Sequence, residues 1–234
     1  MQHSINRRRA AVELVAFGAL ALILRIAFDP LFWQFAGPAS LIATLVCLAL
    51  YLRRRGEGWP SLGLIPLSGV KAKLMVLPQA LLVFGFFAVS VASVLFAGET
   101  LGWGFMKVVS DGVEDRWGGV EGNLPMFLLW LCIVWTAAAF GEEMFFRGFL
   151  VTRAMALFRG IPFAAVFAVI VPALLFGLGH FYYQGLRGLV TTAAIGIAFG
   201  AAFLLLKRNL WPIVFVHGIV DTINFTVLYL GLKD

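Results

Sequence analysis

Apolar runs of about 20 residues, broken by short polar or turn-rich segments, occupy most of the chain, and a helix of that length crosses the hydrocarbon of a bilayer. The pattern predicts helices over 10–28, 31–52, 73–97, 124–146, 161–182, 187–206 and 210–231. Between them lie Asp29-Pro30, Arg53 to Pro60, Glu99 to Asn123, Arg153 to Gly160, Gln184 to Arg187 and Lys207-Arg208-Asn209. Pro60 to Pro66 reads as an interfacial turn or short helix. No fixed-period repeat or low-complexity tract is present. The expected fold is all-α: a polytopic transmembrane helix bundle of about seven to eight spans, with any active site in the bundle core. It forms one integral membrane domain over 1–234, and a re-entrant or split segment would change the span count.

Composition supports this. The chain is 62% hydrophobic and 13% charged, with mean hydropathy +0.96, whereas soluble domains are about half apolar and a quarter charged. Lipid must cover the excess apolar surface. The net charge of +6 does not point to nucleic acid, because no basic stripe interleaved with aromatics exists. With the N-terminus in the cytoplasm, 13 of the 18 Lys and Arg residues fall on or near the inner side, as the positive-inside rule requires. Asp29, Glu99, Asp111, Glu114, Asp115, Glu121 and Asp234 all fall outside. Glu13 and Arg25 interrupt the first run, so it reads as a transmembrane helix and not a signal peptide. Cys47 and Cys132, without CxxC spacing, read as small core residues. The Glu99–Asn123 loop, with Trp103 and Trp117, reads as an acidic external segment with interfacial aromatics.

Ionisable residues inside spans cost about 2.5–3.5 kcal/mol each, so they persist where they pair, face a wet cavity or act. Here they are Glu13, Arg25, Glu142, Glu143, Arg147, His180, His217 and Asp221; His3, the third histidine, is in the N-terminal tail. Glu143 and Arg147 stand at i, i+4 with the acid first, the better orientation for a helical ion pair. Glu142, about 100° away around the helix, is left as the free carboxylate, able to exchange protons in a partly desolvated cavity. Phe176 and His180 share a face at i, i+4, and Gly177 and Gly179 admit a neighbouring helix. His217, Asp221 and Asn224 form one polar stripe, with Pro212 near the helix start where its missing N–H does no harm. Each feature alone also has a structural reading: an ion pair at a helix end, a packed histidine, a polar seam. Three helices each offering a polar face suit a site in a bundle core, with a base, a second acid/base or water-positioning group, and donors for an oxyanion.

These motifs, E-E-x-x-x-R (Glu142, Glu143, Arg147), F-x-x-x-H (Phe176, His180) and H-x-x-x-N/D (His217, Asp221), occur in that order on successive apolar segments. Together they resemble the CPBP family, also called the Abi family or type II CAAX prenyl endopeptidases, over roughly residues 124–228. Residues 1–98 carry no motif; 124–231 would be the protease core. The resemblance implies an intramembrane endopeptidase acting on membrane-anchored or lipidated peptides, with the bilayer as its other partner. In it Glu142 and His180 activate water, while His217 and Asp221 bind the oxyanion; Glu143, Arg147, Phe176 and Asn224 support them. Asp221 departs from the asparagine of the prenyl-processing members. It must be protonated, or orient His217 (the favoured reading), or leave the donor role to Asn224. No cofactor is required on the preferred reading, although Glu142, His180 and His217 match a His₂Glu set able to hold zinc. The rivals are a membrane transporter or proton relay and a non-catalytic Abi-type scaffold. Drawn as straight rods, the spans leave Glu142 near the inner end of one helix and His180 near the outer end of the next.

Overall fold

The computed structural model describes residues 5–232. His3, Lys233 and Asp234, which enter the counts above, lie outside the described residues. The described chain is all-α: α1 (Arg7–Arg54), α2 (Gly69–Thr100), α3 (Asp111–Trp117), α4 (Leu124–Leu157), α5 (Ala164–Leu205) and α6 (Trp211–Tyr229). A 3₁₀ turn at Trp59–Leu62 fills the expected interfacial stretch. All but α3 are long and apolar enough to cross a membrane, and only 11% to 33% of their most apolar windows is buried inside the protein. The remainder needs an apolar surrounding, as in a multi-pass integral membrane protein.

At about 1.5 Å per residue, the 48 residues of α1 and 42 of α5 would far exceed a hydrocarbon layer of about 30 Å. Both helices fold back on themselves. α1 breaks at Phe32 (φ −159°, ψ 67°), between Pro30 and Pro38. Beyond it the Tyr51 hydroxyl donates to Glu13 at 2.6 Å, and the Phe17 and Tyr51 rings meet at 5.5 Å. α5 breaks at Gly185 (φ 63°, ψ −158°), a conformation open essentially to glycine alone. Its two arms pack through small residues: a Cβ on Gly177 would lie 2.6 Å from the Leu189 carbonyl oxygen, and one on Gly196 would lie 2.9 Å from the Ala173 Cβ. The seven predicted runs are therefore arms of five helices. The breaks at Asp29-Pro30 and Gln184–Arg187 are kinks within folded helices, because a proline pair or one glycine can reverse the chain.

The contacts sort the ends of the arms. At one end Arg7 reaches the Arg159 carbonyl, Leu210 donates to the Gly63 carbonyl at 3.0 Å, and Glu13 accepts from Arg9 and Arg153. Glu57 joins that cluster through the same two arginines. Glu13 is 3% exposed and Arg153 1%, so this buried network clamps both arms of α1 to the end of α4. At the other end Arg25 pairs with Asp29 at 2.5 Å, Tyr182 donates to Asp29 at 2.6 Å, and the Gly122 amide bonds the Tyr229 carbonyl. Grouping the ends in this way matches the alternation drawn from charge. It also accounts for Glu13 and Arg25, the two intramembrane ionisable residues outside the motifs.

The apolar interior is divided. One cluster around Leu48, Leu52, Phe149, Phe203 and Leu210 lies toward the first end; a smaller one around Val120, Trp130, Val134 and Phe225 lies toward the second. The polar residues of α4 and α6 fall between them. Three expectations are corrected. Cys47 and Cys132 are free and exposed; a small, weakly polar thiol is as well placed against lipid as in a core. Gly179 has nothing within 4 Å of a built Cβ, so only Gly177 serves close packing. α4 runs past 146 to Leu157, because nothing in Arg147–Leu157 breaks a helix and Arg153 is neutralised by Glu13 and Glu57.

The turn in α5 yields a direct expectation. A Cβ at Gly185 meets nothing within 4 Å, so Gly185→Ala acts through the backbone alone. It should lower stability by about 1–3 kcal/mol in detergent unfolding, whereas Gly179→Ala, with equal space and no positive φ, should stay close to wild type.

Candidate active site

The course of α4 sets the site. From Val134 to Val151 it winds as a π-helix, a wider form that concentrates at functional sites, and Glu142 and Glu143 sit on its central turns. Glu142 stands 15 residues before Leu157, and His180 stands 16 residues after Ala164. Counted from the 158–163 turn, the two stand at nearly the same number of residues along their helices. The mismatch expected from straight rods arose from ending the helix at 146.

Glu143 is fully buried, and its Oε1 accepts two hydrogen bonds: from Arg147 Nη1 at 2.9 Å and from His217 Nδ1 at 2.7 Å. Arg147, 2% exposed, lies over the Phe176 ring at 4.6 Å and the Phe199 ring at 5.3 Å. Phe176 in turn meets the His180 ring at 4.6 Å. One chain of contacts, His217–Glu143–Arg147–Phe176–His180, therefore joins the three motif-bearing helices. The residue nearest a His217 ring nitrogen is Glu143; Asp221 Oδ2 stands 3.4 Å from the other nitrogen, Nε2. The orienting role expected of Asp221 thus has a closer candidate in Glu143.

Toward the open side, Glu142 Oε2 is 3.8 Å from His217 Nε2. His180 Nδ1 is 2.9 Å from the Phe176 carbonyl oxygen. A carbonyl only accepts, so Nδ1 carries the hydrogen and Nε2 is left as an acceptor. No ion-pair contact within 4.0 Å joins His180 to Glu142 among the described residues. Glu142, Phe176, His180, His217, Asp221 and Asn224 line one large, mainly apolar cavity of about 1780 Å³, while Glu143 and Arg147 lie behind its wall. Asn224 is exposed and has no side-chain hydrogen bond among the described residues.

The cavity also takes in residues that the sequence pattern did not bring forward. The stretch read as an acidic loop holds α3, which places Ser110, Val113 and Arg116 on the cavity wall beside Trp117. Arg116 is 8% exposed, and burial pulls its guanidinium below the ordinary arginine pKa. The available signal was a single basic residue in the acidic run Asp111-Gly-Val-Glu-Asp-Arg-Trp117.

The residues present do not fit a metal ion. Among the described residues no group of three or more His, Cys, Asp or Glu side chains is disposed to hold one. Glu142, His180 and His217 share the cavity wall, with Glu142 Oε2 3.8 Å from His217 Nε2, and among the described residues no third such side chain completes a set with these two.

Residues 124–223 match the Rce1-like type II CAAX prenyl endopeptidase family, a segment that includes every site residue above except Asn224 and Arg116. The chain is also 25% identical over 220 residues to the "Succinoglycan biosynthesis transport protein ExoT" of Rhizobium meliloti (strain 1021). That alignment covers 90% of this chain and 40% of the relative, so the chain spans well under half of that protein. No solved structure matches significantly.

The two adjacent glutamates should separate on substitution. Glu143→Gln breaks a buried pair and leaves Arg147 uncompensated, which should cost about 3–5 kcal/mol of stability. Glu142→Gln, at the cavity surface, should shift the unfolding midpoint little. Equal midpoints for the two variants would overturn the division between a structural and a cavity-facing carboxylate.

Proposed function

We propose that this protein, whose residues 124–223 form a domain of the Rce1-like type II CAAX prenyl endopeptidase family, is an intramembrane endopeptidase that hydrolyses peptide bonds of membrane-anchored or lipidated substrates. The observation that carries the reading is the cavity. Glu142, His180, His217 and Asp221 line it together, on helices held in register by the Glu143 contacts.

In this reading Glu142 takes a proton from a water molecule as it attacks the scissile carbonyl, and His180 Nε2 accepts a hydrogen bond that positions that water. His217, fixed through Nδ1 by Glu143, presents Nε2 to the cavity. Protonated on both nitrogens, it donates to the oxyanion that forms on the carbonyl. Asp221, beside that Nε2, stabilises the charged ring. Glu142 then returns its proton to the leaving amine, so the water oxygen ends on the new carboxyl group and the C–N bond is broken. The apolar walls admit a lipid-bearing or hydrophobic segment, and the membrane delivers it in two dimensions.

A transport reading draws on the relative named as a transport protein. It is the weaker reading, because residues 124–223 match an endopeptidase family, whereas that relative is 25% identical and this chain covers 40% of it.

The deciding measurement is cleavage of membrane-anchored peptides by purified protein in lipid nanodiscs. Wild type should cleave, and Glu142→Ala and His180→Ala should each lose at least about 10²-fold. Cleavage surviving both changes refutes the assignment. A second expectation concerns metal: activity should persist after chelation and washing, with zinc well below one per chain. Stoichiometric zinc and chelator-sensitive cleavage would replace the glutamate–histidine mechanism with a metal-dependent one.

A further inference from the structure

Arg116 has no role in the mechanism above. Its surroundings are unusual for a cation. It is buried to 8% exposure and stacks on three aromatic rings, Tyr183 at 4.4 Å, Trp130 at 5.6 Å and Trp117 at 5.8 Å. Among the described residues no carboxylate pairs with it, and its Nε has no hydrogen-bond partner. Of the two other cavity arginines, Arg25 is already neutralised by Asp29 and Arg187 is exposed. A desolvated guanidinium without an anion is expensive unless a partner of opposite charge arrives, and its fork of donors matches a carboxylate in two parallel hydrogen bonds. The three rings crowd the guanidinium and limit the water around it, so an arriving anion finds it already largely desolvated.

We infer that Arg116 is the binding residue for an anionic group of the substrate, the free carboxylate end of the peptide, held in the same cavity as Glu142 and His180. The inference rests on the endopeptidase reading and adds a specificity determinant to it. Geometry supplies the reach. The Arg116 guanidinium lies 4.4 Å from the Tyr183 ring, and that ring lies 5.8 Å from the His180 ring. His180 and Arg116 are thus at most about 10 Å apart, a span that extended peptide covers in about three residues. A carboxylate on Arg116 therefore leaves a nearby peptide bond at the level of His180. Charge adds to the case: Glu142 and Asp221 line the cavity and repel a carboxylate that has no cation to meet it. α3 is held beside the site by close packing, Gly112 lying directly against the Tyr183 backbone.

The test uses the full chain in nanodiscs and one anchored peptide made in two forms, with a C-terminal carboxylate and with a C-terminal amide. Wild type should favour the acid by about tenfold or more in kcat/KM. In Arg116→Gln the ratio should fall toward one, and in Arg116→Lys, which keeps the charge but loses the fork, it should be intermediate. Equal kcat/KM for acid and amide in wild type overturns the inference, and needs no variant to fold. So does a preference that survives in Arg116→Gln. Should wild type cleave neither form, the endopeptidase reading fails separately; the same labelled pair is then measured for binding by fluorescence anisotropy. An Arg116-dependent preference for the acid there sustains the inference, and equal binding ends it. If acid and amide are equivalent but Arg116→Gln loses co-purifying phosphatidylglycerol, the anion is a lipid phosphate and the assignment to substrate is overturned.

Discussion

The buried Glu143 carboxylate is the junction on which the rest of the site depends. It meets Arg147 on its own helix and His217 on α6, and Arg147 passes the contact to Phe176 and thence to His180 on α5. A carboxylate and a guanidinium taken out of water are each costly alone, and together they tolerate burial only in a fixed geometry. That requirement makes the junction a positioning device. The histidines on two other helices are placed by a pair that itself has little freedom. Glu142, the adjacent residue, escapes this constraint because the wide π-wound turn of α4 directs it to the cavity.

Around the junction the architecture is economical. Two helices fold back at single points, Phe32 and Gly185, and so supply four arms from two continuous segments. The arms of α5 approach closely because glycine and alanine face each other along the seam; in a bilayer such packing takes the place of the hydrophobic drive between helices. A second buried charge cluster, Glu13 with Arg9, Arg153 and Glu57, anchors the far end of α4 to α1. α4 is thereby held at two levels, by ions at its end and by the Glu143 junction at its middle. The cavity runs alongside this length of α4, lined from Ala154 and Leu150 at one end to Trp130 and Arg116 at the other.

The other closure of the cavity is aromatic. Trp117, Trp130, Tyr183 and Phe225 pack edge and face about Arg116, building a dry collar at the end opposite the charge clamp. Cation and rings stabilise each other there, each contact contributing about 0.5–2 kcal/mol as water is excluded. The collar also sets the upper limit of the catalytic level, because Tyr183 is shared between Arg116 and His180.

Much of this was legible in the chain. Apolar run length determined the membrane class and the seven arms, since bilayer thickness admits few alternatives. The i, i+4 spacings of Glu143 with Arg147, Phe176 with His180 and His217 with Asp221 determined which side chains share a face, because helical geometry is local. Ionisable residues within those runs marked where chemistry could lie. Only the tertiary structure decided that α4 continues to Leu157, which puts Glu142 and His180 at a similar residue count from the turn between their helices, since helix ends depend on partners such as Glu13 that lie far away in sequence. Only it decided that Glu143, and not Asp221, is the closest partner of His217, since that contact joins residues 74 apart. And Arg116, one basic residue in an acidic stretch, became a cavity residue only when α3 folded over the bundle. Local periodicity carries no information about which rings will gather around a side chain from three other helices.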